Sequence, residues 1–192
     1  MKKAAVFFLT VMMIFALSGC GQQNRTGESQ GSEEIKYAKA LDVLQEVKNV
    51  YAKDDLFAMY GGDQENSVMD APGAFDISKT EELETMLGLP ADQIANIDDA
   101  ASMVHMMNAN TFTGAAYRLK DGQDMNAFAD AVKAGILNRQ WICGQPDTLI
   151  IINVDGKYVI TAYGAADLME TFKNNALSAL DGAQVITEAP VS

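Results

Sequence analysis

The apolar residues of this chain follow three rhythms, and each rhythm predicts a different element. Near the N-terminus they are continuous: the fourteen residues from Ala4 to Leu17 carry no charge. From Tyr37 they recur every three or four positions, at Leu41, Leu44, Val47 and Tyr51, one stripe of an amphipathic helix running from Glu33 to about Lys53. Gly61-Gly62 ends that region, and the polar stretch from Gly61 to Gly73 reads as a loop. Thr80 to Leu87 reads as a short helix, because Thr80 with Glu81, Glu82 and Glu84 suits a helix start and Gly88 with Pro90 a stop.

Beyond residue 100 one motif is used twice. Ala101–Met107 and Thr111–Leu119 flank an Asn108-Ala109-Asn110 turn, and the first of these runs could equally extend a helix from Asp92. A helix from Asp124 to Leu137 follows, with Met125, Phe128, Ala129, Val132 and Ile136 on one face. Thr148–Val154 and Lys157–Tyr163 flank Asp155-Gly156, a strong short-range hairpin signal. A last helix from Ala165 to Leu180 turns Leu168, Met169, Phe172, Ala176 and Leu180 inward. Two strand-strand-helix units predict an α+β fold: a four-stranded antiparallel sheet with both helices on one face, plus the N-terminal helix. A two-residue turn sets Val154 against Lys157, Ile152 against Val159 and Ile150 against Thr161. Both faces of that hairpin are then apolar, so the N-terminal helix is expected to cover the second one.

Composition narrows the class. At 48% hydrophobic and 21% charged, the chain is too apolar to be intrinsically disordered, and 192 residues suffice for one domain with a core. Fourteen Lys and Arg against 26 acids, a net charge of −12, argue against nucleic acid as a partner. Two Cys and one His cannot build a four-ligand zinc site.

Lys2 and Lys3 precede the uncharged run, which is short for a membrane span and suited to an export signal. It closes on Leu17-Ser18-Gly19-Cys20, which resembles the lipobox of bacterial lipoproteins. The resemblance implies that residues 1–19 are removed and that the Cys20 thiol carries diacylglycerol, the one covalent group expected on the chain. The mature charge becomes −14, so the acyl chains and not the surface would hold the protein on the outer face of the cell membrane. Residues 20–32 have no apolar side chain beyond Cys20 and read as a flexible tether to a single domain over 33–192.

Candidate chemistry is sparse. On a strand, Met103, His105 and Met107 share a face, and two thioethers with an imidazole suit Cu(I). Met is also ordinary core filler, so a half-buried structural His is the plainer expectation. Cys143 lies apart from the only His, and a catalytic thiolate needs a base. The acidic groups Asp54-Asp55, Asp98-Asp99 and Glu81-Glu82-Glu84 lack the spacing of a calcium loop, and no phosphate loop or nucleophile elbow occurs.

From about Ser78 to Leu180 the order of Met106-Met107-Asn108, Lys120-Asp121-Gly122 and Asp155-Gly156-Lys157-Tyr158-Val159 is similar to an uncharacterised domain family of lipoproteins from Gram-positive, Clostridia-like bacteria. That resemblance implies a fold and a location and carries no functional residues. The expectation is a membrane-anchored extracytoplasmic lipoprotein with a non-catalytic role, binding a protein or small molecule. Cu(I) binding through the Met/His cluster is the alternative.

Overall fold

The computed structural model describes residues 36–107, 111–142 and 144–191. Cys20, the signal and tether segments, the Asn108-Ala109-Asn110 turn, Cys143 and the expected helix start at Glu33 lie outside the described residues.

Among the described residues eight strands form one antiparallel sheet, twice the number expected from the sequence. The anticipated four are its centre: β4 (Ile97–His105), β5 (Phe112–Leu119), β6 (Thr148–Val154) and β7 (Tyr158–Gly164), in the order β4-β5-β7-β6. β8 (Gln184–Pro190) extends the sheet beyond β6. On the other side, β1 (Met59–Gly61) and β3 (Gly73–Phe75) lie end to end along β4, and β2 (Val68–Met69) pairs outside β1. The expected polar loop from Gly61 to Gly73 therefore ends in strands. Its turn works because Gly61 and Gly73 meet backbone to backbone: a Cβ on Gly61 would sit 2.0 Å from the Gly73 nitrogen. The buried Ser102 hydroxyl bridges the same junction, accepting from the Gly62 amide at 2.9 Å and donating to the Gly62 carbonyl at 3.2 Å.

Four α-helices flank the sheet: α1 (Ala40–Asn49), α2 (Thr80–Leu87), α3 (Met125–Leu137) and α4 (Ala166–Ala179). α1 is shorter than the sequence stripe suggests, since Lys36–Lys39 precede it in non-helical conformation. Asp42 fixes that start by accepting from the Lys39 and Ala38 amides at 2.9 and 3.1 Å. α3 is capped by Asp124, whose carboxylate accepts from the Asn126 and Ala127 amides, a device that stabilises a helix by about 1 kcal/mol. α2 stops where expected, with Gly88 left-handed at φ 73° and Leu89 N–H bonded to the Leu83 carbonyl. The segment from Asp92 does not extend a helix into Ala101; a 3-10 turn, Ala91–Asn96, leads straight into β4.

The helices do not share a face as expected. α1 and α4 pack on one face, over Met103, Phe112, Ile150, Ile152 and Ile160, while α2 and α3 pack on the other, over Ala115, Tyr117, Leu149, Ile151 and Val159. The reason is handedness. β5 runs through α3 to the parallel strand β6, and β7 runs through α4 to the parallel strand β8, each stepping over one strand in the same direction. β5 and β7 are antiparallel, so two crossovers of one hand must use opposite faces. The helix from Tyr37 does not cover the hairpin as expected: α1 lies over β4 and β5, and α4 beside it covers β6 and β7.

The hairpin register is also one residue away from the two-residue expectation. Val154 opposes Tyr158, Ile152 opposes Ile160 and Ile150 opposes Ala162. Asp155 and Gly156 have φ of 50° and 66°, and the Lys157 amide bonds to the Val154 carbonyl, so the tight turn is present. Lys157 then stands out of the β6 ladder, and its carbonyl accepts from the Leu119 amide of β5 instead. One unpaired residue moves Tyr158, Ile160 and Ala162 onto the α1/α4 face.

Candidate functional site

The Met/His cluster does not come together, because β4 ends at His105. Met103 is fully buried on the face that α1 covers, and His105 follows it on the same face at the end of β4. The His105 ring stacks on Phe57 at 4.9 Å and 12°. Its Nδ1 accepts from the Met107 amide at 2.9 Å, which fixes the neutral tautomer with the proton on Nε2. Burial pushes the imidazole pKa down. Met107 lies past the strand end with its side chain 58% exposed. The structure thus joins His105 to the backbone of Met107 and leaves the three side chains in three different environments. Among the described residues no group of three or more His, Cys, Asp or Glu could hold a metal ion.

A different arrangement emerges on the α2/α3 face. Pairing aligns Met69 of β2, Tyr60 of β1, Val104 of β4, Thr113 of β5 and Tyr163 of β7 in one row across the sheet. Residues paired directly across strands point to the same face, so this row is a strip of one surface. Burial falls steadily along it. Tyr163 is buried, Thr113, Val104 and Tyr60 are half-buried, and Met69 is 55% exposed. The Met106 amide continues the β1 ladder by bonding to the Ala58 carbonyl, and Met106 is 45% exposed two residues beyond Val104. One row further in, Ser102, Ala115 and Thr161 are all buried. The helices therefore cover this face only up to the Val104 row and leave an apolar corner open.

α2 forms the wall beside that corner. At its start Glu82 accepts from the Gln64 amide of the β1–β2 loop at 3.0 Å, and at its end the Met86 carbonyl accepts from the Tyr163 hydroxyl at 3.1 Å. The helix thus crosses from β1 to β7, and its eight residues span about 12 Å, close to three strand spacings. Glu81, Glu82 and Glu84 lie on it with no base between them. At the far end Arg139 is committed: it donates to the Thr85 carbonyl and the Tyr163 hydroxyl and lies 4.8 Å over the Trp141 ring. Burial raises the pKa of both Tyr60 and Tyr163, and for Tyr163 the nearby Arg139 charge works in the other direction.

A polar hollow of about 550 Å³ lies along α1, lined by Lys36, Asp42, Gln45, Glu46 and Asn49 among others. Asp42 is already bonded to two amides there, so the hollow offers mainly solvated side chains.

Sequence reasoning singled out Met103 and Met107 for their sulfurs, named Met106 only within the Met106-Met107-Asn108 motif, and passed over Met69 and Tyr60. Nothing in the sequence marks Met69 as exposed, because its place depends on the β1–β2 pairing. No protein-family model matches this chain, and no solved structure matches it.

Proposed function

We propose that this protein is an extracytoplasmic lipoprotein, anchored through diacylglycerol on Cys20, whose domain is a non-catalytic binding module working through the open corner of its sheet. The observation that carries the binding reading is the exposure of Met69 and Met106 beside half-buried Tyr60 and Val104, at the edge of a sheet whose central strands are covered by helices on both faces. The anchor reading rests on Lys2-Lys3, the uncharged run and Leu17-Ser18-Gly19-Cys20.

Residues Tyr37–Ala40 are bonded at the sheet end formed by Asp99, Arg118 and Tyr158. The corner lies at the other end of β4, whose nine residues span about 30 Å. Cu(I) binding has less behind it, since Met103 is packed in the core and the Met107 amide occupies His105 Nδ1.

Membrane fractionation with intact-mass measurement tests the anchor. Wild-type protein should sediment with membranes and carry the acyl mass on Cys20, and Cys20→Ala should abolish both. An unmodified Cys20 in mature wild-type protein would refute the location.

A further inference from the structure

The corner's chemistry also indicates its occupant, and the step rests on reading the corner as a binding surface. We propose that it receives a basic, amphipathic polypeptide segment, with apolar side chains on the floor and Lys or Arg along the α2 wall.

The floor is apolar and adaptable. Met69 and Met106 are unbranched thioethers at its open edge, and Met conforms to varied partners at low cost. Tyr60 and Val104 between them supply half-buried area that a partner would finish covering. Acids lie on the elements that adjoin the floor. Asp70 follows Met69 directly and is exposed, and α2 contributes Glu81 and Glu84, both exposed, with Glu82 half-buried between them. The nearest bases are engaged. Lys79, just before α2, is paired with Glu65 at 2.8 Å, and Arg139 is held by the Thr85 carbonyl, the Tyr163 hydroxyl and the Trp141 face. Lys79 also lies within electrostatic reach of Glu82, so an incoming base meets its least compensated carboxylates at Asp70, Glu81 and Glu84.

The same charges disfavour the other occupants. A second copy would set Asp70 and the α2 acids against an equally acidic chain of net charge −12, or −14 without residues 1–19. An anionic bilayer surface would be repelled in the same way.

Residues 35–192 hold both core clusters entire and form one compact unit, so that fragment is the working protein. It is titrated calorimetrically with a short synthetic helix of Lys and Leu and with the same helix carrying Glu for Lys. The Lys/Leu peptide should bind, lose about tenfold or more in affinity on Met69→Ser/Met106→Ser, and weaken with salt and on Glu81→Gln/Glu84→Gln. The Glu/Leu peptide should not bind, and Leu177→Ser, an exposed change on α4, should alter nothing. Met69 and Met106 are each about half exposed and outside both core clusters, so the double variant should stay folded, which its denaturation midpoint checks. If both peptides bind alike and both are lost in the Met variant, the basic partner is overturned while the corner stands. If the Met variant binds the Lys/Leu peptide unchanged, the corner itself falls. A dimer in sedimentation equilibrium that Met106→Ser dissolves would assign the surface to a second copy and overturn the proposal.

Discussion

The hydroxyl of Tyr158 donates to the backbone carbonyl of Tyr37, 121 residues earlier in the chain, and the two rings meet edge to face with centroids 6.2 Å apart. This contact fastens the segment before α1 to the hairpin at the centre of the sheet. Arg118 donates to the Ala38 carbonyl and Asp99 accepts from the Ala40 amide, so three successive points of the backbone are held. Tyr158→Phe keeps the ring packing and removes one buried bond, leaving the Tyr37 carbonyl without it. The expected loss is about 1–2 kcal/mol, read as a lower midpoint in urea at unchanged slope. A midpoint equal to the parent's would mean that water satisfies Tyr37 instead.

Asp63 gives a pH dependence. Its side chain is 1% exposed and accepts from the Asn66 side-chain amide and the backbone amides of Glu65, Asn66 and Asp76. Burial alone would raise its pKa, but these donors outweigh it and hold the carboxyl below the usual aspartate range. A carboxyl depressed in the folded state stabilises above its unfolded value of about 3.9, and that stabilisation is lost as pH falls through the lower folded value. Asp63→Ala should cost on the order of 2 kcal/mol at neutral pH, since it orphans the loop's amides. The difference from wild type should shrink below about pH 4. Urea midpoints of both proteins between neutral and acid pH measure it; a constant difference would show that ionisation of Asp63 is irrelevant.

α3 and α4 were legible from a helical period over a dozen residues, α2 from its start and stop signals, and the β6–β7 hairpin from Asp155-Gly156 between two apolar runs, while Ala101–Met107 stayed open between strand and helix. β1, β2 and β3 were not, since strands of two or three residues have no alternation to read, and they exist through the Gly61–Gly73 approach and the Ser102 bridge. β8 did leave a signal in Val185-Ile186-Thr187, a β-branched run whose partner β6 was already in hand. The helix faces followed from strand order and crossover hand, which no local pattern shows. Met69 and Met106 could not be distinguished from core Met103 by residue type, because only register exposes two of them and buries the other in the α1/α4 core.

His105 combines a metal question with a proton question. Cu(I) is expected to leave the melting temperature unchanged, because no described geometry brings the sulfurs of Met103 and Met107 to the ring together. Protons should act. Burial holds the imidazole pKa below its unfolded value of about 6.5, so stability is fully present above that value and declines as pH drops from it toward the folded pKa. His105→Phe keeps an aromatic ring against Phe57 and should flatten that part of the stability–pH curve. A Cu(I)-induced rise that vanishes in His105→Ala would instead restore the Met/His site.

The sharpest test of the register concerns Gly156. Its φ of 66° lies in the left-handed region, beside Asp155 at 50°, and a Cβ placed there meets nothing within 4 Å. Space is therefore not the obstacle, and any cost of a side chain must be conformational. Gly156→Val forces a β-branched residue into a region it rarely occupies, at about 1–3 kcal/mol. The strain falls on the turn that holds Lys157 out of the β6 ladder. Relief by a one-residue slip would turn Tyr158, Ile160 and Ala162 away from the α1/α4 core, which their burial forbids. The variant should accordingly keep its fold and lose stability, with the urea midpoint lowered and the slope unchanged. Gly156→Asn, which tolerates positive φ, should recover most of the loss. If Gly156→Val unfolds at the parent's midpoint, the two left-handed residues are not what sets the pairing of β6 with β7.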